Sequence, residues 1–239
     1  MCLPAITVLF ALWLSSARNL PKWGEYRGPY GDAIARVAMY ERHATDVVNA
    51  VNYDYRGFDT LGEEFILFTS VLGVMQLLRR EGNGDSRRGN VEESTAMSET
   101  TRVATLPAIW VTALVGLYLA LHGQLSPGGG FQGGVVLATA LWLVYIAVNP
   151  QVFKRMTSHV AVEVIEACGA GAYALIGFIP VLMGLPVLTN ELPLGTTGDV
   201  FSSGNIALIS ACVGVEVTAA FLLVSYTYLQ EIIAGEVPE

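Results

Sequence analysis

Apolar residues along this chain collect in long unbroken runs, with the polar residues gathered between them. The runs are Leu3 to Ala17, Leu61 to Leu78, Ala104 to His122, Phe131 to Val148, Ala161 to Gly184 and Ile206 to Leu229. The last five reach the roughly 18 to 20 residues that carry a helix across a hydrocarbon core about 30 Å thick. The first is shorter: extended to Met1 it reaches about 25 Å at 1.5 Å per residue, which predicts a short or poorly embedded span. It ends in small residues before Arg18 as a secretory signal does, yet it has no basic leading region, so an uncleaved span is expected. The pattern predicts an all-α polytopic membrane protein with about six transmembrane helices, two followed by four.

The polar stretches set the organisation. Between the first two runs, Asp32 to Val51 reads as one helix with Ile34, Val37, Ala38, Val47, Val48 and Val51 on its apolar side, too amphipathic to cross a bilayer. Glu81 to Thr100 is rich in Gly, Ser, Asn, Glu and Arg, the composition of a flexible linker. The expected units are therefore a two-span unit over 1–80 with an external polar loop, a flexible cytoplasmic linker over 81–103, and a four-span domain over 104–239.

Composition agrees with a membrane protein. Of 239 residues 53% are apolar and 14% charged, about half the usual charged share of soluble domains. Thirteen basic against 21 acidic residues give a net charge of -8, and no basic run offers a nucleic-acid surface. Arg79, Arg80, Arg87, Arg88 and Arg102 in one loop and Lys154 and Arg155 in another mark one side of the membrane, while 123–130 and 185–205 contain no Lys or Arg. That asymmetry predicts both termini on the cytoplasmic side of the cell membrane. The loop from Arg18 to Asp59 opposes the rule with six basic residues, matched in number by Glu25, Asp32, Glu41, Asp46, Asp54 and Asp59.

Candidate chemistry rests on acids inside the apolar runs, which are costly there and default to a functional hypothesis. Glu216 is the eleventh residue of its run, near mid-membrane at about 15 Å from its end. Glu163 and Glu166, three apart, share a face of the fifth span. Glu63, or its neighbour Glu64, stands in the first turn of the second, where the helix dipole favours an acid. Two readings stand level for Glu216: a protonatable group for proton or sodium movement, or a carboxyl kept neutral or paired with a cation from a neighbouring chain. For Glu63 and Glu64, capping of a helix start is the stronger reading, and His122 reads as an interfacial hydrogen-bonding residue.

The segment from Ser126 to Gly134 contains a GxGxxG spacing, but an apolar helix and not a strand precedes it, which argues against a dinucleotide turn. Gly129, Gly130, Gly133 and Gly134 fit a close helix–helix approach better than irregular backbone along a water-filled path. Cys2, Cys168 and Cys212 lie far apart without zinc or iron–sulfur spacing, and no nucleophile elbow, HExxH or P-loop pattern occurs. No cofactor, no metal site and no enzymatic activity of its own are expected.

The run His122-Gly-Gln-Leu-Ser-Pro-Gly-Gly-Gly-Phe-Gln-Gly-Gly134 resembles the signature of the MnhB-type B subunit of Mrp multisubunit sodium/proton antiporters. Leu192 to Gly204, followed by Val213-Gly-Val-Glu-Val217, resembles that family's second motif. Ala44 to Glu63, with the core Tyr-Arg-Gly-Phe-Asp-Thr-Leu-Gly-Glu, is similar to the end of the large MrpA-type component of those antiporters, which membrane-bound hydrogenases carry as a separate small MbhE-type component. Its family form commonly has Thr-Asn where this chain has Thr45-Asp46. The resemblance implies a fusion of two accessory subunits within a hetero-oligomeric membrane complex. That complex exchanges Na+ and H+, as a stand-alone antiporter or inside a complex I-related hydrogenase or other oxidoreductase; the alternative is a scaffold that carries no ion. It implies an ion-transport role for Glu63, with Asp59 and Arg56 in the same motif, and motif roles for Pro127, Gly128, Gly129, Gly130, Phe131 and Gly133. Glu216 stands where the family has other residues, so its case rests on its place in the span.

Overall fold

The computed structural model describes residues 2–18, 20, 24–25, 28–78, 99–147, 153 and 157–235. Their regular structure is helical, in the order α1 (Cys2–Arg18), α2 (Pro29–Glu41), α3 (Val47–Ala50) continued by a π-helical turn (Val51–Tyr55), α4 (Gly57–Leu77), α5 (Glu99–Leu121), α6 (Gly130–Ala147), α7 (His159–Leu182) and α8 (Asn205–Gly235). Five of these, α4 to α8, are long and apolar enough to span a membrane among the described residues. The expected sixth, α1, is a helix whose apolar part, Ile6–Arg18, is shorter than a full span. The linker expected over 81–103, and the basic residues Arg79, Arg80, Arg87, Arg88, Lys154 and Arg155, lie outside the described residues except for the linker's last part, 99–103, which is the start of α5.

The chain forms two compact units, Met1–Arg36 and Val37–Glu239. The first holds α1, where Phe10 stacks on Trp13 at 5.9 Å between ring centres. In the second, α8 is the central element: α4, α5, α6, α7 and the π-helical turn all pack against it. Its burial follows from its sequence, which is apolar all round and small at Ala219 and Ala220. At one end of the bundle Val71, Ala138, Val162, Leu222 and Leu223 close around Phe153, whose ring meets Trp142 and Tyr145 at 5.0 and 5.2 Å.

The single helix expected over Asp32 to Val51 is two helices. It breaks at Arg42–Asp46 because His43 takes a left-handed φ of 51° and the Asp46 side chain accepts from Val48 N to start α3 afresh. The amides of Thr45 and Asp46, freed from any helix, donate instead to the Gln124 carbonyl at 3.0 and 3.1 Å. The second expected span also begins four residues early, at Gly57.

The glycines after Pro127 mark where helices cross. A Cβ added to Gly130 meets Ser210 O at 2.4 Å, one on Gly133 meets Ala120 N at 2.5 Å, and one on Gly134 meets Val217 Cβ at 2.7 Å. Backbones of α5, α6 and α8 thus pass at distances only glycine permits.

Candidate functional site

Helical phase selects which acids face inward. On α4 the stripe Gly57, Thr60, Leu61, Glu64 and Val71 is buried, with the spacing of one helix face. Glu64 is on it, 1% exposed, while Glu63 is one residue off it and exposed. On α7 the stripe Val162, Glu166, Gly169, Ala170, Tyr173 and Gly177 takes Glu166 inward, also 1% exposed, and leaves Glu163 half-buried at its border. On α8, Glu216 is fully buried beside Val213, Val217 and Ala220.

These three faces meet. The carboxyls of Glu64 and Glu216 come close enough across the α4–α8 contact to act on each other, and Glu166 acts on Glu216 from α7. Neither oxygen of Glu64, neither of Glu216, nor Oε1 of Glu166 has a partner in hydrogen-bond geometry. The glycine at 169 brings α7 in: a Cβ there stands 2.8 Å from Glu216 Cβ and 2.9 Å from Glu216 N. Among the described residues the ion pairs are Arg42 with Asp54, Arg56 with Asp59 and His159 with Glu163, so none reaches the buried three. An unpaired ionised carboxyl in such a place costs several kcal/mol, so acids placed there point to function rather than to stability.

The other expected residues stand apart from the triplet. Arg56 Nε donates to Asp59 Oδ2 at 2.6 Å on the exposed start of α4. His122 closes α5, stacked on Tyr118 at 4.5 Å with a buried, unpartnered Nδ1. Pro127 is exposed and Phe131 partly buried. His159 Nδ1 is 3.3 Å from Glu163 Oε1 at the start of α7.

Beside the triplet, on the side of the loops, lies a polar hub that sequence reasoning did not single out. Asn49, 1% exposed, donates from Nδ2 to the carbonyls of Gly123 at 2.6 Å and Gly128 at 3.0 Å, with Asp46 Oδ2 at 2.7 Å. Gly129, at φ 131°, would drive a Cβ to 2.7 Å from Asn49 Oδ1. Tyr53 receives the Gly130 N–H at 3.3 Å, and burial pushes its phenol well above the ordinary value. Tyr173 donates to Gly57 O at 2.8 Å. Farther out, Asp54 accepts from Arg42 Nε at 2.6 Å and from Asn190 Nδ2 at 2.9 Å, and Ser203 Oγ donates to His43 O at 3.0 Å. The only sequence signal for this hub is a lone Asn in an apolar stretch; its partners are 74 and 79 residues away.

Comparison with known proteins places both halves. Residues 100–223 match the family described as a domain related to the MnhB subunit of Na+/H+ antiporter, and 29–88 match the MbhE family of membrane-bound hydrogenase components. The putative antiporter subunit mnhB2 of Staphylococcus saprophyticus is 32% identical over 128 residues, 49% of this chain and 87% of that protein. A fused A/B protein of Rhizobium meliloti, a probable K+/H+ antiporter component, is 28% identical over 180 residues, 64% of this chain but 17% of that protein. Among solved structures, the membrane-bound sulfane sulfur reductase, an archaeal respiratory membrane complex, has a chain with TM-score 0.72 and 28% identity, covering 95% of this chain and 97% of that one. The Mrp complex from Dietzia sp. DQ12-45-1b shares the fold at TM-score 0.70 and 20% identity, over 94% of this chain and 25% of that one. With the first family covering just over half of its length, the chain belongs to the MnhB-related family and is a multi-pass membrane subunit of that type, preceded by an MbhE-like segment.

Proposed function

We propose that this protein is a non-enzymatic part of the ion pathway of an Mrp-type cation/proton antiporter module, exchanging Na+ for H+, in a complex with other antiporter subunits. The observation that carries the proposal is the triplet Glu64, Glu216 and Glu166, three buried carboxyls from three helices without partners. Glu63, Asp59, Glu163 and His122 are the further candidates, exposed or at helix ends. The units 1–80 and 104–239 act as fused accessory subunits joined through 81–103, and the hub at Asn49 supports this by tying the motif of one to the loop of the other. Both termini face the cytoplasm, which cysteine labelling at Gly28 and Ser94 tests: labelling of both positions from one side sinks the assignment.

The test of the pathway is Glu216→Gln in the whole complex in vesicles. The variant keeps shape and is expected to assemble while losing pH-dependent exchange. Unaltered exchange turns the reading to its alternative, a scaffold that joins antiporter-like and redox modules. The likeness to a chain of a respiratory complex favours that second reading, and identification of co-purifying subunits separates a stand-alone antiporter from a redox parent.

A further inference from the structure

Resting on the ion-pathway reading above, we infer that Glu63, Glu64, Glu216, Glu166, Glu163 and His159 form a single-file proton relay that runs through the membrane inside this chain. The interactions make a string. Glu63 acts on Glu64, Glu64 meets Glu216, Glu216 acts on Glu166, and Glu166 is acted on by Glu163. Glu163 then pairs with His159 at 3.3 Å.

The string also has a direction. Gly169 lies against the Glu216 backbone and fixes the level of that residue on α7. Glu166, Glu163 and His159 precede Gly169 by three, six and ten residues, so they descend from that level by about 4.5, 9 and 15 Å at 1.5 Å per residue. Glu63 and Glu64 lie about 10 Å below the start of α4 by the same rise, on the side of the loops. Tyr53 and Tyr173 face Glu64 from that side, and Cys212 faces Glu216 from its own helix. The exposed ends are Glu63 and the Glu163–His159 pair, and the three members between them are buried.

A string suits a proton and not a metal cation. A cation needs several oxygens converging on one point, and among the described residues no group of three or more His, Cys, Asp or Glu side chains is placed to hold one. A proton needs only an acid beside a carboxylate. At each step the O–H bond of one carboxylic acid breaks and one forms on the neighbouring carboxylate, directly or through a bridging water, and the negative charge moves the opposite way. At the end the Glu163 O–H breaks as an N–H forms on the His159 imidazole, leaving an ion pair that releases its proton to water. Nothing is oxidised or reduced.

The experiment uses the whole complex in vesicles, with a pH-sensitive dye reporting exchange driven by a sodium gradient and co-purification reporting assembly. Glu64→Gln, Glu216→Gln and Glu166→Gln are each expected to slow exchange by about a hundredfold or more while the subunits stay together. Glu216→His keeps a proton-exchanging group but removes the anionic oxygens a cation would need, so exchange above the Gln level is expected; an assembled His variant as inactive as the Gln variant overturns the relay. Loss in Glu216→Gln with wild-type exchange in Glu64→Gln and Glu166→Gln overturns the relay yet leaves Glu216 in the ion path. Wild-type exchange in all three overturns both. For a Gln variant that does not assemble, Asp at that position carries the test: a carboxyl withdrawn by one methylene is expected to slow exchange by about a hundredfold, and wild-type rates in the Asp variants of all three overturn the relay.

Discussion

The Asn49 amide donates to the Gly123 carbonyl at 2.6 Å, deep in the bundle and across 74 residues of chain. The same nitrogen reaches Gly128 O, so one side chain holds both ends of the loop that carries the Pro127 motif. Asn49→Ala leaves two carbonyls without this donor, and each unsatisfied buried group costs about 1–3 kcal/mol. A loss on the order of 2–4 kcal/mol is expected, read as a lower thermal midpoint of the complex in detergent. Asn49→Asp, which sets acceptor against acceptor, should be worse than Ala.

Glycine substitutions should split into two classes. Gly130→Ala drives a methyl to 2.4 Å from Ser210 O, and Gly169→Ala drives one into the Glu216 backbone. Both are expected to block assembly. Around Gly62, Gly73 and Gly171 an added Cβ meets nothing within 4 Å, so alanine there should leave expression and folding intact, with about 1 kcal/mol of helix propensity gained at most. Yield of monodisperse complex across the five variants checks the contrast.

Tyr55 should resist alkali. Burial first, and then the Glu41 carboxylate that accepts its hydroxyl at 2.9 Å, push this phenol up to about 12 from an ordinary value of about 10. Because the folded value is the raised one, the contribution of this contact is complete below about pH 10 and is lost as pH rises through about 12. The phenolate absorbance difference between wild type and Tyr55→Phe should therefore appear near pH 12 and not near pH 10.

Cutting the chain between its two motif-bearing parts should not separate them. With a protease site inserted between Gly84 and Asp85, the two fragments are expected to co-purify after cleavage, held by Asn49, Tyr53, Asp54 and Tyr173. Adding Asn49→Ala to the cut chain should release a measurable fraction of the smaller piece. Separation of the cut wild type would place the cohesion in the connecting peptide instead.

Run length made the spanning helices legible, because a bilayer demands about 20 apolar residues and leaves little choice. The phase of α4 was equally present in the sequence: Gly57, Thr60, Leu61 and Val71 fix the stripe that takes Glu64 inward and turns Glu63 out. The motif resemblance drew attention to Glu63 instead, since a motif marks a residue without saying which way it faces. The break at Arg42–Asp46 was hidden for another reason. Local apolar spacing continues through it, and the helix ends there because the Gln124 carbonyl, far along the chain, captures the amides of Thr45 and Asp46. Asn49 was invisible on the same grounds, as its acceptors are backbone atoms with no side-chain signature.

The central position of α8 limits where motion can originate. Every other helix of its compact unit from α4 onward, and the π-helical turn, touches it, and glycines at 130, 134 and 169 leave no slack on two of its sides. A turn or slide of α8 would have to displace four spans together, so Glu216 sits on a fixed axle. Any gate that alternates between the two faces of the membrane must then open by rearrangement of water or of neighbouring proteins around this chain, and the pace of exchange is set at its borders, where Glu63 and Glu163 emerge.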